Sequence, residues 1–270
     1  MEDSLALALV VGLLQGIFEW LPISSEGQIT LYLTVVEGLP GVVATRFSLF
    51  LHLGTALSAT AYYRREVATV VRSIPEWRPT SAVERTPEVT FLAVATLVSG
   101  VVGVAAYATV EGAVSTLSGG AFVALVGVLL IATGVLQRTA AGTVGGRETL
   151  TLADALLVGA MQGLAVLPGV SRSGSTTGAL LLRGHDGPES FRLSFLLSIP
   201  AAIGAGALVV ADEGIPALAP ETALVALAVS ALVGYLTIDA LMRVVERVAF
   251  WGVCVGLGAL AVVGGALLLV

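Results

Sequence analysis

The sequence predicts an all-α polytopic membrane protein: six transmembrane helices plus two re-entrant helical hairpins, arranged as inverted-topology repeats. Three observations lead there. The 270 residues are 56% hydrophobic and only 12% charged, with a mean hydropathy of +0.97, whereas soluble domains are about 25% charged, so lipid must serve as solvent. Six apolar runs are long enough to cross about 30 Å of hydrocarbon at about 1.5 Å per residue. Finally, the string at 15–27 recurs at 162–174.

In chain order, the spans are expected at 45–64, 88–110, 119–137, 190–211, 221–242 and 250–270. The remaining apolar segments are shorter and come in interrupted pairs. Residues 5–21 and 25–36 flank Pro22 and Ser24-Ser25-Glu26-Gly27; residues 152–166 and 173–183 flank Pro168-Gly169 and Ser171-Arg172-Ser173-Gly174. Each pair reads as a hairpin whose broken tip lies at membrane depth, a place where exposed backbone is tolerated only against protein or water.

The repeat is Gln15-Gly16-Ile17-Phe18-Glu19-Trp20-Leu21-Pro22-Ile23-Ser24-Ser25-Glu26-Gly27 against Gln162-Gly163-Leu164-Ala165-Val166-Leu167-Pro168-Gly169-Val170-Ser171-Arg172-Ser173-Gly174, an offset of 147. Arg46-Phe47-Ser48-Leu49-Phe50-Leu51 matches Arg192-Leu193-Ser194-Phe195-Leu196-Leu197 at an offset of 146, so register holds over thirty residues. One domain, 1–270, thus divides into repeat one, about 1–145, and repeat two, about 146–270. A hairpin plus three spans per repeat turns the second copy upside down, and the two tips approach from opposite faces.

Loop charges orient the chain. Arg64, Arg65, Arg72, Arg78, Arg85, Arg138, Arg147, Arg243 and Arg247 fall on one side, with the 183–192 loop; that side is expected to be cytoplasmic, and both termini outside. Glu2, Asp3, Glu37, Glu111, Asp212, Glu213 and Glu221 fall opposite, with Arg46 the basic exception. The acidic start and the lack of a small-residue cleavage site read as no removable signal. A net charge of −6 argues against a nucleic-acid partner, and Cys254 alone allows no disulfide framework.

The tips carry the chemistry. Ser24, Ser25 and Gly27 precede a helix near Gln28, and Ser171, Arg172, Ser173, Gly174, Ser175 and Thr176 lead into one running to Leu182. Helix N-termini offer free N–H groups and partial positive charge to an anion, and Arg172 adds a fork suited to phosphate. Taken singly, each hydroxyl is more simply an N-cap; two such tips together favour a phosphate cage. Glu19, ionisable within an apolar segment, needs a proton, a cation or a partner such as Arg172. His52 reads as a packed, hydrogen-bonded histidine and His185 as a solvated loop residue. Arg46 and Arg192 read as snorkelling anchors, and Gln15 and Gln162 as partners for broken-helix backbone.

At these residues the chain resembles the undecaprenyl-pyrophosphate phosphatases, the bacitracin-resistance family of membrane hydrolases. The stretches Gln15 to Gln28 and Pro168 to Thr176 resemble its two signature motifs. His52-Leu53-Gly54-Thr55, Phe195-Leu196-Leu197-Ser198-Ile199-Pro200 and Gly234-Tyr235-Leu236 add support. The resemblance implies hydrolysis of a polyprenyl diphosphate to the monophosphate and inorganic phosphate, which recycles a carrier lipid for envelope glycan synthesis in the plasma membrane. It implies Ser25 as nucleophile, Glu19 as a catalytic acid, and Ser171, Arg172, Ser173 and Thr176 around the diphosphate; from their place in the tips, Glu26 and Arg172 are expected to join the catalytic groups, and Ser24, Gly27, Gln28 and Gly174 the substrate site. A divalent cation, Mg2+ or Ca2+, is expected near Glu19, with Gln15 a second candidate ligand. One departure stands out: the family usually has histidine where this chain has Gln28, and Glu26 replaces a small hydroxyl residue. Glutamine cannot carry a proton, so Glu19 or Glu26 takes over acid–base work or catalysis is weakened.

The expected reaction is attack by Ser25 on the terminal phosphorus and hydrolysis of a phosphoenzyme, with direct attack by water as the other route. A secondary transporter or flippase of a phosphorylated lipid or other anion is the rival reading, because broken helices in inverted repeats also serve alternating access. A purely structural membrane protein leaves both tips unexplained. Prenyl length, carrier type and oligomeric state, a homo-oligomer included, stay open.

Overall fold

A computed structural model describes residues 2–78, 81–114, 117, 119–143, 145–214, 220–245 and 247–269. The side chains of Glu2, Asp3, Glu111 and Glu213, used above for orientation, lie outside that description. The described residues are helical, with no strand among them.

The order is α1 (Glu2–Phe18), α2 (Ser25–Val35), α3 (Gly41–Tyr62), α4 (Arg64–Ser73), α5 (Ala82–Arg85), α6 (Pro87–Val114), α7 (Gly119–Ala140), α8 (Leu152–Leu164), α9 (Arg172–Leu182), α10 (Gly187–Glu213), α11 (Pro220–Val245) and α12 (Phe250–Leu267). Six of them, α3, α6, α7, α10, α11 and α12, are long and apolar enough to cross a membrane. The protein is therefore multi-pass, with spans where hydropathy places them. The shorter pairs α1/α2 and α8/α9 flank the expected tips. The sequence places 64–87 in a loop, whereas Arg64–Ser73 forms helix α4; its three arginines, Arg64, Arg65 and Arg72, mask the helical period of its apolar residues.

Helix packing follows the repeat. α1 packs on α11 and α8 on α6, α2 on α3 and α9 on α10, while α3 meets α10 and α7 meets α12. A shift of about 147 residues carries α1, α2 and α3 onto α8, α9 and α10, and α6 and α11 are counterparts at a shorter offset because α4 and α5 lie only in the first half. Glycines permit the closest approaches. A Cβ on Gly12 or Gly16 of α1 would stand 2.7 Å from the Ala226 carbonyl oxygen or 2.8 Å from the Gly234 nitrogen of α11. A Cβ on Gly159 or Gly163 of α8 would stand 2.7 Å from the Ala95 carbonyl oxygen or 2.6 Å from the Val102 Cβ of α6. Each hairpin thus seats a Gly-x-x-x-Gly ridge against a span of the other half, where contact and not hydrophobicity drives association.

Several charges outside the site are paired, which revises two expectations. Arg192 is bidentate to Glu88, both bonds 3.0 Å, and also bonds Glu189 at 2.7 Å. Arg46 reaches Asp212 at 3.4 Å and the Tyr107 hydroxyl at 3.2 Å. These arginines tie helices together, a role available because opposite charges close the same helix ends. His185 is not solvated: it is 1% exposed, 3.5 Å from Asp154. Asp154 is fully buried in a capping box with Thr151 and bonds Arg183 at 2.6 Å. Burial works against its charge, but the Arg183 and Thr151 hydrogen bonds and nearby Arg147 outweigh it and pull its pKa down to about 2. This cluster closes the base of the second hairpin.

Gly159→Val should destabilise the purified protein by about 1–3 kcal/mol, since its Cβ has no room beside Ala95. Thermal unfolding in detergent reads the loss, and Gly100→Ala, whose Cβ meets nothing within 4 Å, is the control that should stay at wild-type stability.

Candidate functional site

The two tips interlock, and side chains from elsewhere satisfy their irregular backbone. In the first tip, the Leu21 carbonyl accepts from the Ser173 hydroxyl at 3.4 Å. The Pro22 carbonyl accepts from Gln137 at 2.6 Å and Cys254 at 3.1 Å, and the Ile23 carbonyl accepts from Gln28 at 3.2 Å. In the second tip, Thr133 donates to the Gly169 carbonyl and accepts from the Ser171 N–H, both at 3.3 Å. Backbone off the helical pattern is thereby kept from lipid.

Ser24 and Ser171 occupy equivalent positions and perform the same task. Each caps its helix by accepting from the glycine N–H three residues on, Gly27 and Gly174, both at 3.2 Å. Ser24 also accepts from the Gly169 N–H at 3.2 Å, a direct link between the tips. Ser24 alone among the described non-glycine residues has positive φ, 63°. A side chain held in that region stores strain, and its surroundings must over-determine it.

Glu19 is the hub, 6% exposed at the end of α1. Its Oε1 accepts from Arg172 Nη2 at 2.6 Å, a salt bridge from one tip to the other. Its Oε2 accepts from the Ser25 hydroxyl at 2.7 Å and from Gln15 Nε2 at 3.0 Å, and stands 3.3 Å from His52 Nε2. The guanidinium of Arg172 also lies over the Phe195 ring, 5.2 Å from its centre, with a long 3.4 Å bond to the Ser194 carbonyl. That leaves N–H donors of Arg172 free for a ligand.

The space between the tips is a cleft of about 20 Å3 lined by Glu19, Ser25, Glu26, Arg172 and Ser173, near the volume one water needs. Beside Glu19, Glu26, His52 and Arg172 it widens into a cavity of about 520 Å3 walled by α6, α8 and α10, the size of ordinary ligand pockets. Its surface is mainly apolar, with Gln162 and Ser198 among its few polar groups. Both Glu26 Oε1 and Gln162 Oε1 are buried without a partner. A second cavity, about 170 Å3, reaches Ser173 and Gly174 from the end where α7 and α11 finish.

The expected residues therefore divide. Glu19, Ser24, Ser25, Glu26, Ser171, Arg172 and Ser173 line the cleft together. Gly27 and Gly174 spend their N–H groups on caps. Thr176 bonds the Arg172 carbonyl at 2.8 Å and the Ser194 hydroxyl at 2.6 Å, so it braces the tip. Gln28 turns to the Ile23 carbonyl and lines neither cavity. Gln15 and Gln162 hold side chains more than broken backbone: Gln15 bonds Glu19 and Thr55, and Gln162 bonds Ser99 and the Leu197 carbonyl. Gln15 presents its amide N–H to Glu19, its Oε1 is buried without a partner, and Glu19 Oε2 faces three side chains. Among the described residues no three His, Cys, Asp or Glu side chains cluster to hold a metal.

Sequence reasoning missed Thr133 and Gln137, one helical turn apart on α7, which had no motif to flag them. It also placed His52 in the packing, although His52-Leu53-Gly54-Thr55 already counted toward the family resemblance.

Ser24→Gly and Ser24→Val both strip the Gly27 and Gly169 N–H groups of their acceptor, so Ser24→Val should be less stable than Ser24→Gly by about 1–3 kcal/mol, because glycine takes positive φ freely and valine does not. Paired thermal melts compare them.

The chain matches the family described as bacitracin resistance protein BacA over residues 8–262. It is 55% identical over 266 residues to the undecaprenyl-diphosphatase of Haloarcula marismortui, covering 98% of each chain. Identity to the undecaprenyl-diphosphatase of Methanococcoides burtonii is 37% over 265 residues, 96% of this chain and 97% of the relative. The Saccharolobus solfataricus protein of the same name is 34% identical over 270 residues, 97% of this chain and 95% of the other. Six apolar spans, two interlocked tips, and a match running through both signature stretches agree: the chain belongs to the BacA bacitracin-resistance family.

Proposed function

We propose that this protein hydrolyses a polyprenyl diphosphate, undecaprenyl diphosphate or a close analogue, to the monophosphate and inorganic phosphate. The observation that carries the reading is the pair of contacts at Glu19: the Ser25 hydroxyl at 2.7 Å on one oxygen and Arg172 at 2.6 Å on the other. A hydroxyl aimed at a carboxylate is a nucleophile beside its base, and an arginine within the same cleft is a diphosphate clamp. The apolar cavity opening from that cleft accepts the head-proximal part of the isprenoid chain, and the bilayer takes the rest.

In this reading Glu19 removes the proton from Ser25 as its oxygen attacks the terminal phosphorus. Arg172 gathers the charge that builds on the phosphate oxygens, and water then cleaves the phosphoserine. Glu26, with one carboxylate oxygen unpartnered, faces the same space and helps to position that water. A divalent cation is proposed to arrive on the diphosphate, without Glu19 or Gln15 as a resident ligand. Both termini are proposed to lie outside, with the arginine-rich loops in the cytoplasm.

The cavity of about 170 Å3 that reaches Ser173 from the opposite end favours a second reading, movement of the lipid headgroup past the tips. Flux of a labelled lipid in liposomes without phosphate release would support it over hydrolysis.

Purified protein given polyprenyl diphosphate should release inorganic phosphate. Arg172→Ala should lower the rate by about 10²–10³-fold, as expected on loss of a donor to transition-state charge; undiminished release from that variant rules out this site. Ser25→Ala should also lose the phosphoprotein seen on rapid quenching of wild type. EDTA should slow release, with Mg2+ restoring it equally in wild type and Gln15→Ala.

A further inference from the structure

We propose that His52 is the proton carrier of this site, delivered from α3 and acting through Glu19. The inference rests on the diphosphatase reading and extends it to a residue outside both tips. Its basis is the placement of the ring. Nδ1 lies 2.8 Å from the Ser48 carbonyl oxygen, and Nε2 lies 3.3 Å from Glu19 Oε2. A carbonyl can only accept, so Nδ1 carries a hydrogen. Glu19 also draws donors from Ser25, Gln15 and Arg172, which mark it as a carboxylate. Both ring nitrogens therefore face acceptors, and the arrangement is satisfied when the ring holds a hydrogen on each.

Position 28 offers no such group. Gln28 has no exchangeable acid–base proton, and its amide is spent on the Ile23 carbonyl away from the cavities. His52, 14% exposed at its side chain, lines both the cleft and the larger cavity. Glu19 just beyond α1, Glu26 from α2 and Arg172 from the second tip are the other ionisable groups lining those two cavities. α10, which packs on α3, adds only uncharged groups such as Ser198 and Ala202.

The proton balance closes around this pair. As the bond from Ser25 Oγ to phosphorus forms and the bond from phosphorus to the bridging oxygen breaks, the Ser25 proton passes to Glu19. The Nε2 proton of His52 passes to the departing bridging oxygen, and Glu19 then returns a proton to Nε2. Polyprenyl monophosphate leaves with one proton, and the Glu19–His52 pair regains its starting charge. In the second step water gives its proton to Glu19 as its oxygen bonds phosphorus, and Ser25 takes that proton back as the phosphoserine breaks.

The test uses the full chain in nanodiscs with two readouts. In the first, ¹⁵N-histidine spectra at neutral pH identify His52 by its disappearance in His52→Gln, which leaves His185 as the remaining histidine. Protonation on both ring nitrogens is expected, with reversion to a neutral ring in Glu19→Gln; a neutral ring in wild type overturns the proposal. In the second, polyprenyl diphosphate hydrolysis is followed against pH. His52→Gln should lower kcat by about 10²–10⁴-fold, the usual scale of acid–base catalysis, with KM nearly unchanged and the high-pH limb of the profile lost. A wild-type rate and profile in His52→Gln would overturn the proposal, and so would a large gain from Gln28→His, which would show the carrier still missing. If wild type releases no phosphate, the diphosphatase reading fails while the ring spectrum still decides the His52–Glu19 pairing.

Discussion

The salt bridge between Glu19 and Arg172 is the contact on which the rest of the molecule turns. Each residue sits at a break in a short helix from a different half of the chain, in surroundings where an unpaired charge is expensive. Neither hairpin can place its charge at that depth without the other. The pair therefore couples the folding of the two halves, and it explains why so many neighbouring groups serve to hold the tips in register. Ser24 reaches to the Gly169 N–H, Ser173 to the Leu21 carbonyl, and Trp20 to the Gly234 carbonyl at 3.1 Å. An ion pair of this kind is weak as a source of stability, since desolvation opposes its attraction, but it is strong as a determinant of which arrangement forms.

The same contact organises the chemistry. A carboxylate that receives a serine hydroxyl, an arginine and an imidazole is well placed to accept and release protons while the adjacent guanidinium gathers phosphate charge. The apolar cavity attached to this polar cleft gives the site its second half. One side recognises a diphosphate and the other a hydrocarbon, so a substrate lacking either part forfeits a share of the binding.

Much of this was legible in the chain and some was not, for physical reasons. The spans showed because the requirement to match hydrocarbon leaves long apolar runs. The tips showed because helix breaks at membrane depth demand Pro, Gly and hydroxyl residues, here twice at a constant offset. The roles of Thr176 and Gln28 could not be read, since a hydroxyl or amide near a helix start serves a ligand or a backbone carbonyl equally well, and only three-dimensional neighbours such as Ser194 and Ile23 decide. His185 and Arg192 look like solvated loop and interface residues until Asp154 and Glu88 are found beside them. Gly12 and Gly16, like Gly159 and Gly163, stand four apart in the chain, but spacing alone does not name the helix that lies against them.

Thr133 and Gln137 add a mechanical consequence. They sit four residues apart on α7, and each grips a different tip, Thr133 the Gly169 carbonyl and Gln137 the Pro22 carbonyl. A rigid helix cannot move one grip without the other, so α7 works as a yoke: any slide or tilt that releases the first hairpin drags the second along. Its phase matters as much as its position. One residue inserted between 133 and 137 would rotate one side chain about 100° further round the helix from the other, leaving each tip anchored at most singly and the yoke broken, with every residue of the cleft still present.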